Sequence, residues 1–319
     1  MHKIPKPEFP RPEKQRIDWL NLNGEWDFKL FPEGDEAQEK IFAASRQDYD
    51  KTIVVPFTWT CPLSKVEEDV AGIGWYRRSL RFAPKGRVFL CFGAVDYRAD
   101  VYVNGVRVGG HQGGYSYFEL DVTAVWQDGD NLVEVRAEDY RRETQTYGKQ
   151  GYGEIQGIWQ TVWLENRPQA YISDFRFVTR ISGDVKLTVS AESAEGATAC
   201  AHFDSQTWQA KVEGGKAEIN MHFDEPRLWS PDEPNLYEGR ITLEKDGETD
   251  EVCTYFGIRE ISSGKVDSRD FQWILLNGKP VYLNGTLDQA QMNRARITLE
   301  ELISATRLAP KRGGSSVWG

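Results

Sequence analysis

Residues 147–154 read Tyr147-Gly148-Lys149-Gln150-Gly151-Tyr152-Gly153-Glu154, two phenols, a cation, an amide and a carboxylate set among three glycines. Such groups suit a polyhydroxylated ligand. Tyr147 or Tyr152 can stack on an apolar ring face, Lys149 and Gln150 can donate to hydroxyls or to a carboxylate, and Glu154 can accept. The same run also reads as a surface loop loosened by glycine, and both readings stand at this level. Asp96 and Tyr97 pose a similar choice between ligand contact and turn capping, with the turn favoured. His111, Tyr115 and Tyr117 lie in a Gly-rich stretch that can line a groove, but ordering of the loop itself is the expectation.

Other chemistries find little support. Cys61, Cys91, Cys200 and Cys253 are far apart with no C-x-x-C pair, so four reduced thiols are expected. The four histidines show no H-E-x-x-H or clustered ligand spacing, so neither a metal site nor a cofactor is expected. A net charge of -10 repels polyanions, which sets nucleic acid aside. No run approaches the roughly 18 apolar residues of a membrane helix. The first 16 residues, rich in Pro and Lys, have no signal-peptide core, so a cytoplasmic protein without a membrane partner is expected.

The elements that would position these groups are strands. Period-two alternation broken by Gly, Pro, Asn and Asp predicts strands at 25–30, 53–55, 75–82, 87–92, 100–103, 131–137 and 161–165. Asn104-Gly105 between two such runs predicts a tight hairpin. After Asn166-Arg167-Pro168 a second set is predicted at 172–180, 184–190, 197–203, 216–223, 236–244 and 248–257, a spacing that fits an immunoglobulin-like sandwich without the Cys-Trp-Cys core signature. Beyond residue 261 an Asn277-Gly278 hairpin leads to a strand at 281–283. Thr298 and Glu301 then form a capping box that opens what reads as the chain's one convincing helix, to about residue 308. The fold class expected is all-β, with a short α/β segment at the C-terminus. The 11 Trp, 13 Tyr and 15 Phe are expected mainly in sandwich cores, although Trp also suits sugar recognition.

Several segments together resemble glycoside hydrolase family 2, the group of β-galactosidases, β-glucuronidases and β-mannosidases. They are Leu22-Asn23-Gly24-Glu25-Trp26-Asp27-Phe28, Val55-Pro56-Phe57-Thr58-Trp59, Gly74-Trp75-Tyr76-Arg77-Arg78, Phe92-Gly93-Ala94-Val95-Asp96-Tyr97 and Gly157-Ile158-Trp159-Gln160, followed by Leu228-Trp229-Ser230-Pro231 and Phe256-Gly257-Ile258-Arg259. The resemblance implies a jelly-roll sugar-binding domain over 1–168, an immunoglobulin-like sandwich over 169–263 and the truncated start of a (β/α)8 (TIM) barrel over 264–319. It also implies that 147–154 reaches an active-site mouth. A sugar-binding Asp that some members carry six residues before the equivalent of Gly157 is Gly151 here. In an intact barrel Asp288 and Gln289 would face substrate.

Retaining glycosidases need two carboxyl groups about 5–5.5 Å apart, and in this family both are Glu on later barrel strands, the acid/base following Asn. No Asn-Glu dipeptide occurs, and 49 residues follow position 270 where a barrel needs roughly 200 or more. The expectation is a non-catalytic N-terminal portion of such an enzyme, inactive alone, with weak carbohydrate binding and self-association through a barrel-docking surface. The alternatives are a stand-alone lectin-like module and a protein-interaction module.

Overall fold

Strand pairing divides the chain into sandwiches whose inward phases match the alternation of the sequence. The computed structural model describes residues 4–140, 155–266 and 271–283. Of these, 4–10 and 18–166 form one unit, and 11–17 and the residues from 167 onward the other.

The first unit holds β1 (Trp19–Asn21), β2 (Gly24–Pro32), β3 (Lys51–Val55), β4 (Gly72–Arg81), β5 (Arg87–Phe92), β6 (Val95–Asp96), β7 (Arg98–Val103), β8 (Val106–Gln112), β9 (Phe118–Asp121), β10 (Asp130–Asp139), β11 (Gly157–Ile158) and β12 (Val162–Arg167). A four-stranded sheet, β1-β12-β5-β9, and a six-stranded sheet, β3-β2-β4-β10-β7-β8, make the jelly roll, and β11-β6 form a short pair of their own. Alternate residues of the large sheets meet in one core: Trp26 and Phe28 of β2, Val88, Leu90 and Phe92 of β5, Val133 and Val135 of β10, Val162 and Leu164 of β12. Burying side chains of this size stabilises by about 1.5–3 kcal/mol each.

The predicted hairpin forms at β7–β8, with φ of 51° at Asn104 and 82° at Gly105. Asn104 is more than a turn former. Its Nδ2 donates to the carbonyl of Val125 and to Oδ1 of Asn131, 2.8 Å each, and its Oδ1 accepts the Leu132 N–H at 2.9 Å. Asn104→Ala is expected to cost about 2 kcal/mol, because the Leu132 amide loses its acceptor and a left-handed φ is left to a residue that resists it. A urea midpoint measurement checks this.

One helix escapes the sequence reading. Residues Glu36–Ser45 form α1, whereas the helix expected from Thr298 lies outside the described residues. Its apolar periodicity is weak because one aromatic, Phe42, anchors it against Phe31 and Trp75. A polar anchor adds to this. Buried Glu39 accepts from Trp75 Nε1 at 2.8 Å and from Arg136 Nε at 2.9 Å.

The second unit holds β13 (Tyr171–Thr179), β14 (Asp184–Glu192), β15 (Thr198–Phe203), β16 (Gln206–Lys211), β17 (Lys216–His222), β18 (Tyr237–Lys245) and β19 (Glu248–Phe256). These form sheets β13-β14-β17 and β16-β15-β18-β19, the immunoglobulin-like sandwich. Six of the seven match predicted strands within two residues at either end. β16 was not foreseen, for its sequence Gln-Thr-Trp-Gln-Ala-Lys presents little apolar surface to a core.

The third sheet is β20 (Ile261–Gly264), β21 (Trp273–Leu276) and β22 (Lys279–Pro280). The strand expected at 281–283 is corrected by this arrangement. Pairing runs Leu276↔Lys279 and Leu275↔Pro280 and ends with the Val281 N–H on the Ile274 carbonyl, so the hairpin takes up the chain before residue 282. Among the described residues no helix is long and apolar enough to cross a membrane.

Candidate sugar-contact surface

The β6–β11 pair brings together residues from distant parts of the first unit. Gly157 pairs with Asp96 and Ile158 with Val95. Asp96 joins Tyr97 through a cis peptide bond, and Tyr97 is pinned on three sides. Its N–H donates to the Glu138 carbonyl at 3.2 Å, its carbonyl accepts the Gly113 N–H at 2.8 Å, and its hydroxyl accepts from Gln112 Nε2 at 3.1 Å.

The Gly-rich stretch after β8 folds onto this corner. A Cβ at Gly114 would stand 2.4 Å from the Asp96 carboxyl carbon, so only glycine lets that backbone press so close. The Gly114 carbonyl accepts from Trp159 Nε1 at 2.7 Å, and Tyr115 sets its ring edge-on to Trp159 at 5.3 Å while staying 59% exposed. Partial burial, and then the charges of Asp96 and Asp139, push the Tyr115 phenol above its ordinary value. It therefore stays protonated at neutral pH and can donate. Trp159 in turn packs with Ala94 and Ile155.

The stretch from Ile155 to Ile158 is held from beneath. Thr58 Oγ1 accepts the Gln156 N–H at 2.8 Å, and the buried Tyr76 hydroxyl accepts the Ile158 N–H at 3.2 Å. Between them Gly157 sits at φ 74°. The result is a surface offering a carboxylate, a phenol, an amide and an exposed aromatic ring, a set matched to hydroxyls and to the apolar face of a pyranose.

The sequence-derived contacts Tyr147, Lys149, Gln150, Tyr152, Glu154, Asp288 and Gln289 lie outside the described residues. Of the secondary candidates, His111 stacks on Phe118 at 4.6 Å. Tyr117 donates its hydroxyl to Glu119 and lays its ring on Trp163, so both pack against residues of strands β9 and β12. Gln112 and the packing of Tyr115 against buried Trp159 were not foreseen. The usable signal was the density of glycines at 109, 110, 113 and 114, which allows backbone to pack tightly against side chains. Among the described residues no group of three or more His, Cys, Asp or Glu is arranged to hold a metal ion, and none of the four cysteines is joined in a disulfide.

Comparison with known proteins follows the same division. The profile described as glycosyl hydrolases family 2, sugar binding domain, matches residues 20–168, and that described as glycosyl hydrolases family 2 matches residues 170–259, together about three quarters of the chain. This chain belongs to glycosyl hydrolase family 2. It comprises N-terminal domains of the β-galactosidase and β-glucuronidase-like hydrolases of that family. A β-galactosidase of Thermoanaerobacter pseudethanolicus is 31% identical over 248 residues, covering 69% of this chain and 32% of the relative. A β-glucuronidase of Streptococcus agalactiae is 24% identical over 295 residues, covering 83% and 46%. The chain thus spans between about a quarter and a half of the length of the curated relatives it matches. Among solved structures, β-glucuronidase from Ruminococcus gnavus in complex with D-glucuronic acid superposes with a TM-score of 0.67 at 22% identity. The match covers 85% of this chain and 50% of that one, a likeness of fold.

Proposed function

We propose that this chain is the sugar-contacting, non-catalytic portion of a family 2 enzyme that hydrolyses β-galactosides or β-glucuronides. Its domains are taken as 1–168, 169–263 and 264–319. The observation that carries the reading is the surface of Asp96, Tyr97, Gln112 and Tyr115, with buried Trp159 packed against Tyr115, which lies in the sugar-binding domain. Tyr147, Lys149, Gln150, Tyr152 and Glu154 would extend that surface, and Asp288 and Gln289 would face substrate in a barrel. The identities of the relatives favour an O-glycosidic substrate, and the net charge of -10 disfavours nucleic acid.

Calorimetric titration of the 319-residue chain with methyl β-galactoside and methyl β-glucuronide is expected to give about millimolar affinity for one of them. Asp96→Ala is expected to weaken it at least fivefold. No heat with either sugar, or an unchanged constant in Asp96→Ala, would count against the surface. Nitrophenyl β-glycosides are expected to release no nitrophenol above buffer, since catalysis needs a carboxylate pair. Micromolar or tighter binding without turnover would point instead to a stand-alone lectin.

A second reading has its own observation. Ile261, Ile274, Tyr282 and Leu283 are exposed in and beside the β20-β21-β22 sheet, which favours self-association there. Light scattering that gives a monomer across a concentration series would remove it.

A further inference from the structure

Residues 11–17 precede the whole of the first sandwich yet group with the second. After a 3-10 turn over Pro12–Lys14, Gln15 is extended and exchanges both backbone hydrogen bonds with Cys253 of β19. The Gln15 N–H donates at 3.0 Å and the Cys253 N–H at 2.8 Å. β19 is the outer strand of its sheet, and that edge would otherwise present unpaired amides.

Arg16 then reaches inward. Its Nε donates to Asp250 Oδ1 at 3.0 Å and its Nη2 to Oδ2 at 2.7 Å, a two-pronged ion pair with both side chains only 3% exposed. The same Nη2 donates to the Ile172 carbonyl at 2.8 Å, and the Ile172 N–H donates back to Asp250 Oδ2 at 2.8 Å. Ile172 belongs to β13, the outer strand of the opposite sheet. A bulge in β13 between Ile172 and Asp174 turns out the Ser173 carbonyl, which accepts from Lys14 Nζ. The segment therefore closes the flank where the edge strands of the two sheets meet, through one backbone bridge and two cations.

We infer that this flank is a binding site for an extended, arginine-bearing peptide, filled in this chain by its own residues 11–17. Three features define the ligand. The β19 edge takes a β-strand-like backbone, as in recognition by strand addition. Asp250 and the Ile172 carbonyl together accept a planar fork of donors that Arg supplies and Lys does not. The bulged Ser173 carbonyl adds a preference for a second cation two residues earlier.

The test begins with the intact chain. Arg16→Ala and Arg16→Lys are each expected to speed hydrogen exchange of the Ile172 and Cys253 amides at least tenfold, leaving Val135 in the first sandwich unchanged. Equal exchange in wild type and both variants would overturn the inference. The second arm uses a chain that starts at Asp18, offered a labelled synthetic peptide of residues 8–17. The expected result is saturable binding that weakens at least tenfold in the Arg16→Ala peptide and is absent with the full-length chain, whose site is occupied. Equal binding of both peptides, or equal binding to full-length and shortened chains, would refute it. Should the shortened chain not fold unaided, recovery of its fold on adding the wild-type peptide and not the Arg16→Ala peptide supports the site, and the exchange experiment decides where neither restores it.

Discussion

Gly157→Ala is expected to destabilise the first unit by about 3 kcal/mol or more, among the largest effects of any single methyl group here. Two penalties add. The residue sits at φ 74°, a conformation that side chains resist, and the new Cβ would lie 2.0 Å from the Tyr76 hydroxyl and 2.7 Å from the Trp59 ring. Neither neighbour can withdraw easily. Tyr76 and Trp59 are buried, Trp59 Nε1 donates to the Val70 carbonyl at 2.9 Å, and Phe28 packs against both rings. A urea midpoint measures the loss. Tyr76→Phe in the Gly157→Ala background should recover part of it, because the nearest clashing atom goes while Trp59 stays. If Gly157→Ala unfolds at the wild-type urea concentration, the packing described for this corner is wrong. The same substitution shifts Asp96 through the β6–β11 pair, so sugar binding should fall with stability.

Phe256→Ala should do comparable damage to the second unit, by about 3–5 kcal/mol. Phe256 is the hub of an aromatic cluster, stacked on Phe177 at 4.5 Å and Tyr237 at 5.2 Å, edge-on to Phe203 at 5.0 Å and tilted against Phe223 at 6.1 Å. Removing its ring leaves four aromatics facing a void that their own packing keeps from closing. Hydrogen exchange separates this effect from the first. In Phe256→Ala the amides of Ile241 and Val252 should lose protection, whereas in Gly157→Ala the loss should fall on β4 and β10. A loss of less than about 1 kcal/mol in Phe256→Ala would mean that the cluster relaxes into the space.

Much of this architecture was legible because burial on one face imposes alternation. Val133, Val135 and Ala137 face the core from β10, and Leu187 and Val189 do so from β14, as their spacing announces. Turn chemistry was equally plain at Asn104-Gly105. What escaped carries no periodicity. Helix α1 hangs on Phe42 and on the Glu39 carboxylate, β16 is mostly exposed, and residues 11–17 dock through one bridge and two cations. A clue to the last was nonetheless present. Asp250 falls on the inward phase of β19, in step with Val252 and Phe256, and a carboxylate at such a position demands a buried cation. The sequence alone could not say that the cation comes from Arg16. The candidate surface was half legible: Asp96, Tyr97 and Tyr115 were in view, but their convergence depends on Gly114 and Gly157, whose importance lies in the atoms they leave out.

The order of these segments along the chain bears on biosynthesis. Arg16 leaves the ribosome 234 positions ahead of its carboxylate partner, Asp250. At about 5–20 residues per second, that is a wait of tens of seconds or so, during which the whole jelly roll can be completed. Sealing of the second sandwich therefore follows completion of the jelly roll in the nascent polypeptide, because the flank between β13 and β19 is closed only once Asp250 and Arg16 are both available.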